Sequence, residues 1–201
     1  CVSAREILIA TNAYTTDFIP ELKRKVIPTG ANIIATEELD KNKMQQVFIS
    51  PRLGIDPRRI YRAFRPSPDG KRILFTGRSK DPDKGPEYNG AIMRQQMVEL
   101  FPALSDVEVT HSWGGYVGFT FDYLPHLGKI DSIYYAMGFN AAGSSMAPYF
   151  GHQIALSILG KREEGGLFDR FEFQSRPFYS GEPWFLPLVL TFYRLLDRLG
   201  R

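Results

Sequence analysis

The sequence predicts a mixed α/β and α+β fold, and three features lead there. Glu6–Ala10 (EILIA) is a short, continuous apolar run of the kind that forms a parallel strand buried on both faces. Ile133–Met137 is a second apolar strand, followed at once by a turn of small residues and a helical stretch over Ser144–Leu159. Between these ends, Ile60–Arg65 and Arg72–Thr76 flank Ser67-Pro68-Asp69-Gly70, and two such runs around D-G mark an antiparallel hairpin.

The remaining elements follow in order. After Glu6–Ala10 the chain turns at Thr11-Asn12-Ala13-Tyr14, and a chain opening one turn before a central strand is expected to lack the strands beside it. Val26–Ala35 is a strand in which Pro28 and Gly30 argue for an edge or a bulge. Glu38–Val47 reads as a short helix. Glu87–Phe101 carries Ile92, Met93, Met97, Leu100 and Phe101 at helical spacing, and Pro102 stops it. Val107–Trp113 is a strand that leads into the glycine-rich passage Gly114-Gly115 to Gly118. Pro177–Leu190 is rich in proline, aromatic and aliphatic residues, and Thr191–Leu199 has apolar spacing at Phe192, Leu195, Leu196 and Leu199. This tail reads as a segment packing on the body of the protein in preference to a membrane anchor.

Composition narrows the function. With 43% hydrophobic and 13% aromatic residues among 201, the chain can bury a core and is not a disordered segment. A net charge of +3 is too mild, and its clusters (Lys23-Arg24-Lys25 and Arg58, Arg59, Arg62, Arg65) too small, for a nucleic-acid partner. The single cysteine, Cys1, allows no intrachain disulfide and suits a reducing, cytoplasmic setting; it is a poor nucleophile candidate at the first position. No apolar run is long enough to span a bilayer. The histidines His111, His126 and His152 do not have metal-ligand spacing, and there is no G-x-S-x-G turn, so neither a metal site nor hydrolase machinery is expected.

Two constellations carry chemistry. Gly138-Phe139-Asn140-Ala141-Ala142-Gly143, with Ser144-Ser145 after it, joins strand to helix through small residues that let backbone approach a flat ligand, while the helix aims its unpaired N–H groups and positive dipole end at that ligand. The same geometry serves a phosphate, or simply connects two elements. Within the helix, Gly143, Ala147, Gly151 and Ala155 form a ridge of small residues, suited to close packing on a sheet, to a nearby cofactor, or to both. The second constellation, Trp113 to Gly128 (WGGYVGFTFDYLPHLG), combines glycine and aromatic residues, which suits a strand beside a planar ring system or an aromatic-rich hairpin.

Several of these segments, in order along the chain, resemble one family. Ile7–Thr15 (ILIATNAYT), Arg65–Gly77 (RPSPDGKRILFTG), Trp113–Gly128 and Tyr134–Gly160 are similar to the D-amino-acid-oxidase-like FAD-dependent oxidoreductases, the group of glycine, sarcosine and γ-glutamylputrescine oxidases; Phe178–Pro187 resembles the ends of bacterial members. The resemblance implies the C-terminal half of such a protein: the C-terminal portion of a Rossmann-type FAD domain plus an antiparallel-sheet substrate domain. Residues 1–24 and 116–165 would belong to the FAD domain, 25–115 to the substrate domain, and 166–201 to a tail packing on the body. No G-x-G-x-x-G turn occurs in the chain, so the pyrophosphate-binding turn would lie upstream, in a missing N-terminal half or a complementary chain.

The family's chemistry is oxidation of a C–N bond by hydride transfer from the substrate carbon to flavin N5. By resemblance, residues 138–145 (Gly138, Phe139, Asn140, Ala141, Ala142, Gly143, Ser144 and Ser145) would bind the cofactor, and Trp113, Tyr116, Arg65 and Arg78 the substrate; the resemblance assigns no catalytic residue. Three departures matter. Val117-Gly118-Phe119 stands where amino-acid-oxidising members place an arginine, and Ser144-Ser145 where sarcosine oxidases place a lysine. A small-molecule amine, a γ-glutamylated amine or a larger substrate is therefore expected before a simple α-amino acid. No cysteine lies near Thr120, so the FAD is expected to be non-covalent. The alternatives are a catalytically inactive fragment or binding module that keeps the substrate-domain sheet, and a membrane-associated subunit using Pro183–Leu199; catalysis by this chain alone is not expected.

Overall fold

The computed structural model describes residues 3–79, 82–162 and 166–200; Cys1 lies outside them. The chain divides into two compact units: Cys1–Thr29 with Tyr116–Pro183, and Gly30–Gly115 with Trp184–Arg201.

In the first unit, β1 (Ile7–Ile9) pairs in parallel with β8 (Ile133–Met137), which pairs antiparallel with β7 (His126–Ile130). Pro20 opens the short helix α1 (Pro20–Lys23), where its missing N–H leaves nothing unpaired. Helix α4 (Gly143–Ile158) follows β8 and lays Phe150 and Ile154, both fully buried, on Leu127 and Ala136 of the sheet. On the other side Leu22, Val26 and Met137 pack with Phe173. The Tyr179 hydroxyl donates to the Val26 carbonyl at 2.8 Å, and burial pushes its pKa upward.

The second unit holds most of a sheet in the order β3 (Gly54–Ile55), β4 (Ala63–Pro66), β5 (Ile73–Gly77), β2 (Ile27–Thr36), β6 (Val109–Phe119), with β3, β4, β5 and β2 antiparallel in turn. The D-G hairpin forms as its sequence requires. Phe64 faces Phe75 across the ladder, Gly70 takes φ +73 in the turn, and Ser67 N–H closes on the Arg72 carbonyl at 2.9 Å. Helix α2 (Lys41–Val47) starts later than its apolar pattern suggests, because the Asp40 carboxylate accepts the Lys43 N–H at 2.8 Å and fixes the first turn there. Helix α3 (Gly85–Leu100) buries Met93 and Met97 completely against Ile34, Ile73 and Phe75. Gly77 permits this approach, since a Cβ there would lie 2.6 Å from Gln96 Oε1.

Pro28 and Gly30 mark neither an edge nor a bulge, for β2 runs between β5 and β6. The pairing with β5 covers only Asn32–Ala35, so Pro28 lies beyond the stretch where β5 would need its N–H. Nor does the glycine passage end the strand before it: β6 continues through Gly114-Gly115 to Phe119. The last helix, α5 (Leu186–Arg198), begins earlier than Thr191, with Pro187 in its first turn.

One ion pair holds the loop between β3 and β4. Arg62 and Asp56 are almost fully buried and meet at 2.7 Å; Asp56 also accepts the Arg62 N–H at 2.8 Å, and the guanidinium donates to the Gln96 carbonyl at 3.1 Å. Removing one partner strands a buried charge, so Asp56→Ala is expected to lower the urea-unfolding free energy by about 3–5 kcal/mol. A loss under about 1 kcal/mol would show that the pair is solvated in solution.

Candidate flavin-facing site

The turn between β8 and α4 is built by residues far apart in sequence. Gly138, Asn140 and Ala141 take φ of +74°, +49° and +70°, a left-handed path that carries the chain sharply from strand to helix. Gly138 has a second reason to be glycine, because a Cβ there would collide with the Thr120 methyl. Ala141 has no such latitude: an alanine in this region costs roughly 1–2 kcal/mol.

Hydrogen bonds hold this path. Asn12, itself at φ +49° just past β1, accepts the Gly138 N–H on Oδ1 at 2.8 Å. Its side chain occupies the space that a Cβ on Gly118 would need. The Gly118 carbonyl accepts the Asn140 N–H at 3.0 Å, and Asn140 Oδ1 accepts the Thr120 N–H at 3.0 Å. Asn140 Nδ2 donates to the Gly138 carbonyl at 2.5 Å, while the Thr120 hydroxyl donates to the Leu124 carbonyl at 2.9 Å. The ends of β1, β6 and β8 are thus tied in one knot.

Beyond the knot the surface is plain. Ala141, Ala142, Ser144 and Ser145 are exposed, and no side chain caps α4. An uncapped sixteen-residue helix presents N–H donors and a partial positive charge at its start. This donor set, with no side chain over it, fits the electron-rich pyrimidine edge of a flavin. Gly143 and Ser144 would supply the donors, since the Ser145 N–H already donates to the Ala142 carbonyl at 3.2 Å, and Asn140 and Ala141 would hold them in place.

The ridge of Gly143, Ala147, Gly151 and Ala155 does not pack on the chain's own sheet. Phe150 and Ile154 do that, whereas Ala147, Gly151 and Ala155 are exposed and a Cβ on Gly151 would meet nothing within 4 Å.

Beneath the knot, His126 is buried, stacked on Phe173 at 4.3 Å, with Nε2 3.0 Å from Asp122 Oδ2. Burial pushes the Asp122 carboxyl up, but the Leu124 N–H at 3.1 Å and the His126 ring outweigh it and hold the group below the usual carboxylate range. Among the described residues, no three His, Cys, Asp or Glu side chains converge as a metal site would require.

The residues read as substrate-binding fall in both units. Tyr116 belongs to the first, where its N–H donates to the Tyr14 hydroxyl at 2.9 Å and the two rings meet edge to face. Trp113, Arg65 and Arg78 belong to the second. There Arg65 and Trp113 line one small cavity of about 90 Å³ with Ile33, Leu53 and Thr76, while the Arg78 carbonyl accepts from Gln96 at 2.9 Å. Asn12 was not legible as part of the site, and Gly118 was legible only as one glycine of the Trp113–Gly128 passage, without its contact with Asn12. The one available signal was an asparagine in a turn, the non-glycine residue that best tolerates a left-handed φ.

Comparison with known proteins gives the chain's family. Residues 1–156 match the DAO family, FAD dependent oxidoreductase, and the chain belongs to it. Among curated proteins, a probable oxidoreductase OrdL of Rhizobium meliloti is 33% identical over 202 residues, covering 98% of this chain and 46% of that protein. The gamma-glutamylputrescine oxidoreductase of Escherichia coli is 27% identical over 205 residues, covering 99% and 47%. The chain therefore spans about half the length of the curated relatives it matches. The fold is that of solved flavoenzymes: iminodiacetate oxidase from Chelativorans (TM-score 0.62, 19% identity, 83% of this chain and 45% of that one) and glycine oxidase from Geobacillus kaustophilus (0.61, 18%, 87% and 46%).

Two measurements test the knot. Ala141→Gly relieves the left-handed strain and is expected to stabilise the chain by about 1 kcal/mol in urea unfolding, net of the glycine's greater freedom when unfolded; destabilisation would show that Ala141 is not held at positive φ. Asp122 has a depressed folded-state pKa, so its contribution is present above the ordinary value of 3.8 and lost as pH falls through the lowered one. Asp122→Asn should be less stable than the parent chain at neutral pH, with the gap closing as pH falls below the ordinary value of 3.8.

Proposed function

We propose that the whole protein to which this chain belongs oxidises the C–N bond of an amine or amino-acid-like substrate, with non-covalent FAD held partly by Gly138–Ser145. The observation that carries this reading is the uncapped α4 N-terminus at the end of a locked left-handed turn, in a chain that matches the family over residues 1–156. A flavin held there would supply hydride-accepting chemistry for oxidation of the substrate's C–N bond. The chain's own share is to orient: the helix start offers donors to the ring, and the knot of Asn12, Thr120 and Asn140 fixes where they point. The first unit would then be the FAD-domain portion and the second the substrate domain, with Arg65 and Trp113 facing substrate and Tyr116 and Arg78 near it. Dinucleotide binding itself rests with a portion of polypeptide carrying the G-x-G-x-x-G turn that this sequence lacks.

Substrate choice follows from charge. Val117-Gly118-Phe119 offers no cation where amino-acid-oxidising members of the family grip a carboxylate, and Ser144-Ser145 none where sarcosine oxidases place a lysine. An amine or γ-glutamylated amine is the better match, and the similarity to a gamma-glutamylputrescine oxidoreductase supports that class. A cytosolic setting completes the reading, resting on the sequence's single cysteine.

Joining the chain to an upstream portion of the kind its relatives carry is expected to give a yellow protein whose flavin is bleached anaerobically by γ-glutamylated amines, and at least tenfold more slowly by glycine or D-alanine. A protein that binds no flavin would sink the cofactor reading. Faster bleaching by the simple amino acids would overturn the substrate assignment alone.

A further inference from the structure

Helix α5 is attached to the second unit by one face and bare on the other. Val189, Tyr193 and Leu196 are half-buried on the inner side. Asp197 latches the helix to the loop between β3 and β4 by accepting the Arg59 N–H at 3.0 Å and the Ile60 N–H at 3.3 Å. To this extent the tail packs on the body. The outward side carries Leu188, Phe192, Leu195 and Leu199, exposed by 70, 56, 52 and 59%, at a spacing that forms a single stripe. Trp184, 65% exposed, stands just before the helix.

The charges around this stripe are sorted. Between residues 49 and 62, and between 184 and 200, the only carboxylates are Asp56 and Asp197. Both are turned inward, with side chains 6 and 10% exposed, and both are satisfied there. The guanidiniums of Arg58 and Arg59 are 51 and 44% exposed, and Arg198 is exposed on the helix. Glu99, 52% exposed, reaches this loop by pairing with Arg62 at 3.7 Å, but Arg58, Arg59 and Arg198 outnumber it, so the surface shows apolar area with a net positive border.

From this we propose that α5, with the loop it is latched to, docks on an anionic lipid surface. The helix would lie in the interface with Leu188, Phe192, Leu195 and Leu199 among the acyl chains and the arginines at the phosphates. No helix among the described residues is long and apolar enough to cross a membrane, so the contact is peripheral. A second copy of the chain would meet the same arginines and be repelled by them. The proposal does not depend on flavin or on substrate class.

The test uses the chain joined to an upstream portion of the kind its relatives carry, and two kinds of vesicle, phosphatidylcholine alone and phosphatidylcholine with phosphatidylglycerol. The chain is expected to sediment with the anionic vesicles only, to be released by salt, and to show a blue-shifted tryptophan emission when bound. Phe192→Ser with Leu195→Ser, both on the exposed side, should abolish sedimentation while leaving the circular dichroism unchanged, and Arg198→Gln should weaken it about fivefold. Failure to sediment with anionic vesicles overturns the proposal, as does equal binding to neutral ones. Self-association in the ultracentrifuge that the double variant abolishes, with no vesicle binding, would assign the stripe to a second copy instead.

Discussion

The hydrogen bond from the Gly138 N–H to Asn12 Oδ1 is the constraint on which the first unit depends. It joins residues 126 positions apart, at the ends of two parallel strands, and closes the space between them with an amide. Because that amide fills the space above Gly118, the incoming strand can pass only as bare backbone, and its carbonyl is then free to hold Asn140. Asn140 in turn fixes Thr120. Each bond is worth about 1 kcal/mol net, but the set specifies one path for a backbone that would otherwise avoid it. The second unit has a matching device in Asp56 and Arg62, where a buried charge pair holds a loop of little regular structure.

Much of this was legible in the chain, and what was not has identifiable causes. The strands at Ile73–Gly77 and Ile133–Met137 and the helix at Gly85–Leu100 announced themselves because burial imposes a pattern on side chains. Ile7–Ile9, by contrast, expected to be buried on both faces, forms the edge of its sheet with Ile7 and Leu8 48 and 41% exposed. Glycine was the misleading residue. The strand before Gly114 was read as ending at Trp113, yet Gly114 lies in mid-strand, where the Ala31 carbonyl and the Asn32 side chain crowd the place of its Cβ. Strand β7 went unread for a related reason: Gly128 leaves room for the Tyr135 ring to lie across it, and the apolar pattern breaks at that point. A glycine needed for space and a glycine needed for a turn are the same letter.

The candidate site divides in the same way. Its contiguous part, Gly138 to Ser145, could be read directly, since strand, small residues and helix follow each other within one segment. Its supporting part could not, because Asn12, Gly118 and Thr120 are meaningful only in their contact with Asn140 and Gly138. Charge was the more transferable guide. The missing cations at Val117 and Ser144 are facts of composition and stand whatever the backbone does. The inward rotation of Asp56 and Asp197, by contrast, is a fact of folding alone.

Strand β6 ends its sheet, and over Val109–Gly115 it contains no lysine, arginine, proline or carboxylate. Those are the residues by which natural sheets discourage a neighbouring strand from adding on. A groove of about 550 Å³ runs beside the same stretch, lined by α3 and by Val109 to Ser112, so an approaching strand also finds room for its side chains. Edge-to-edge association of the chain through this stretch is therefore expected to rise with protein concentration, which makes low concentration the first condition for handling it.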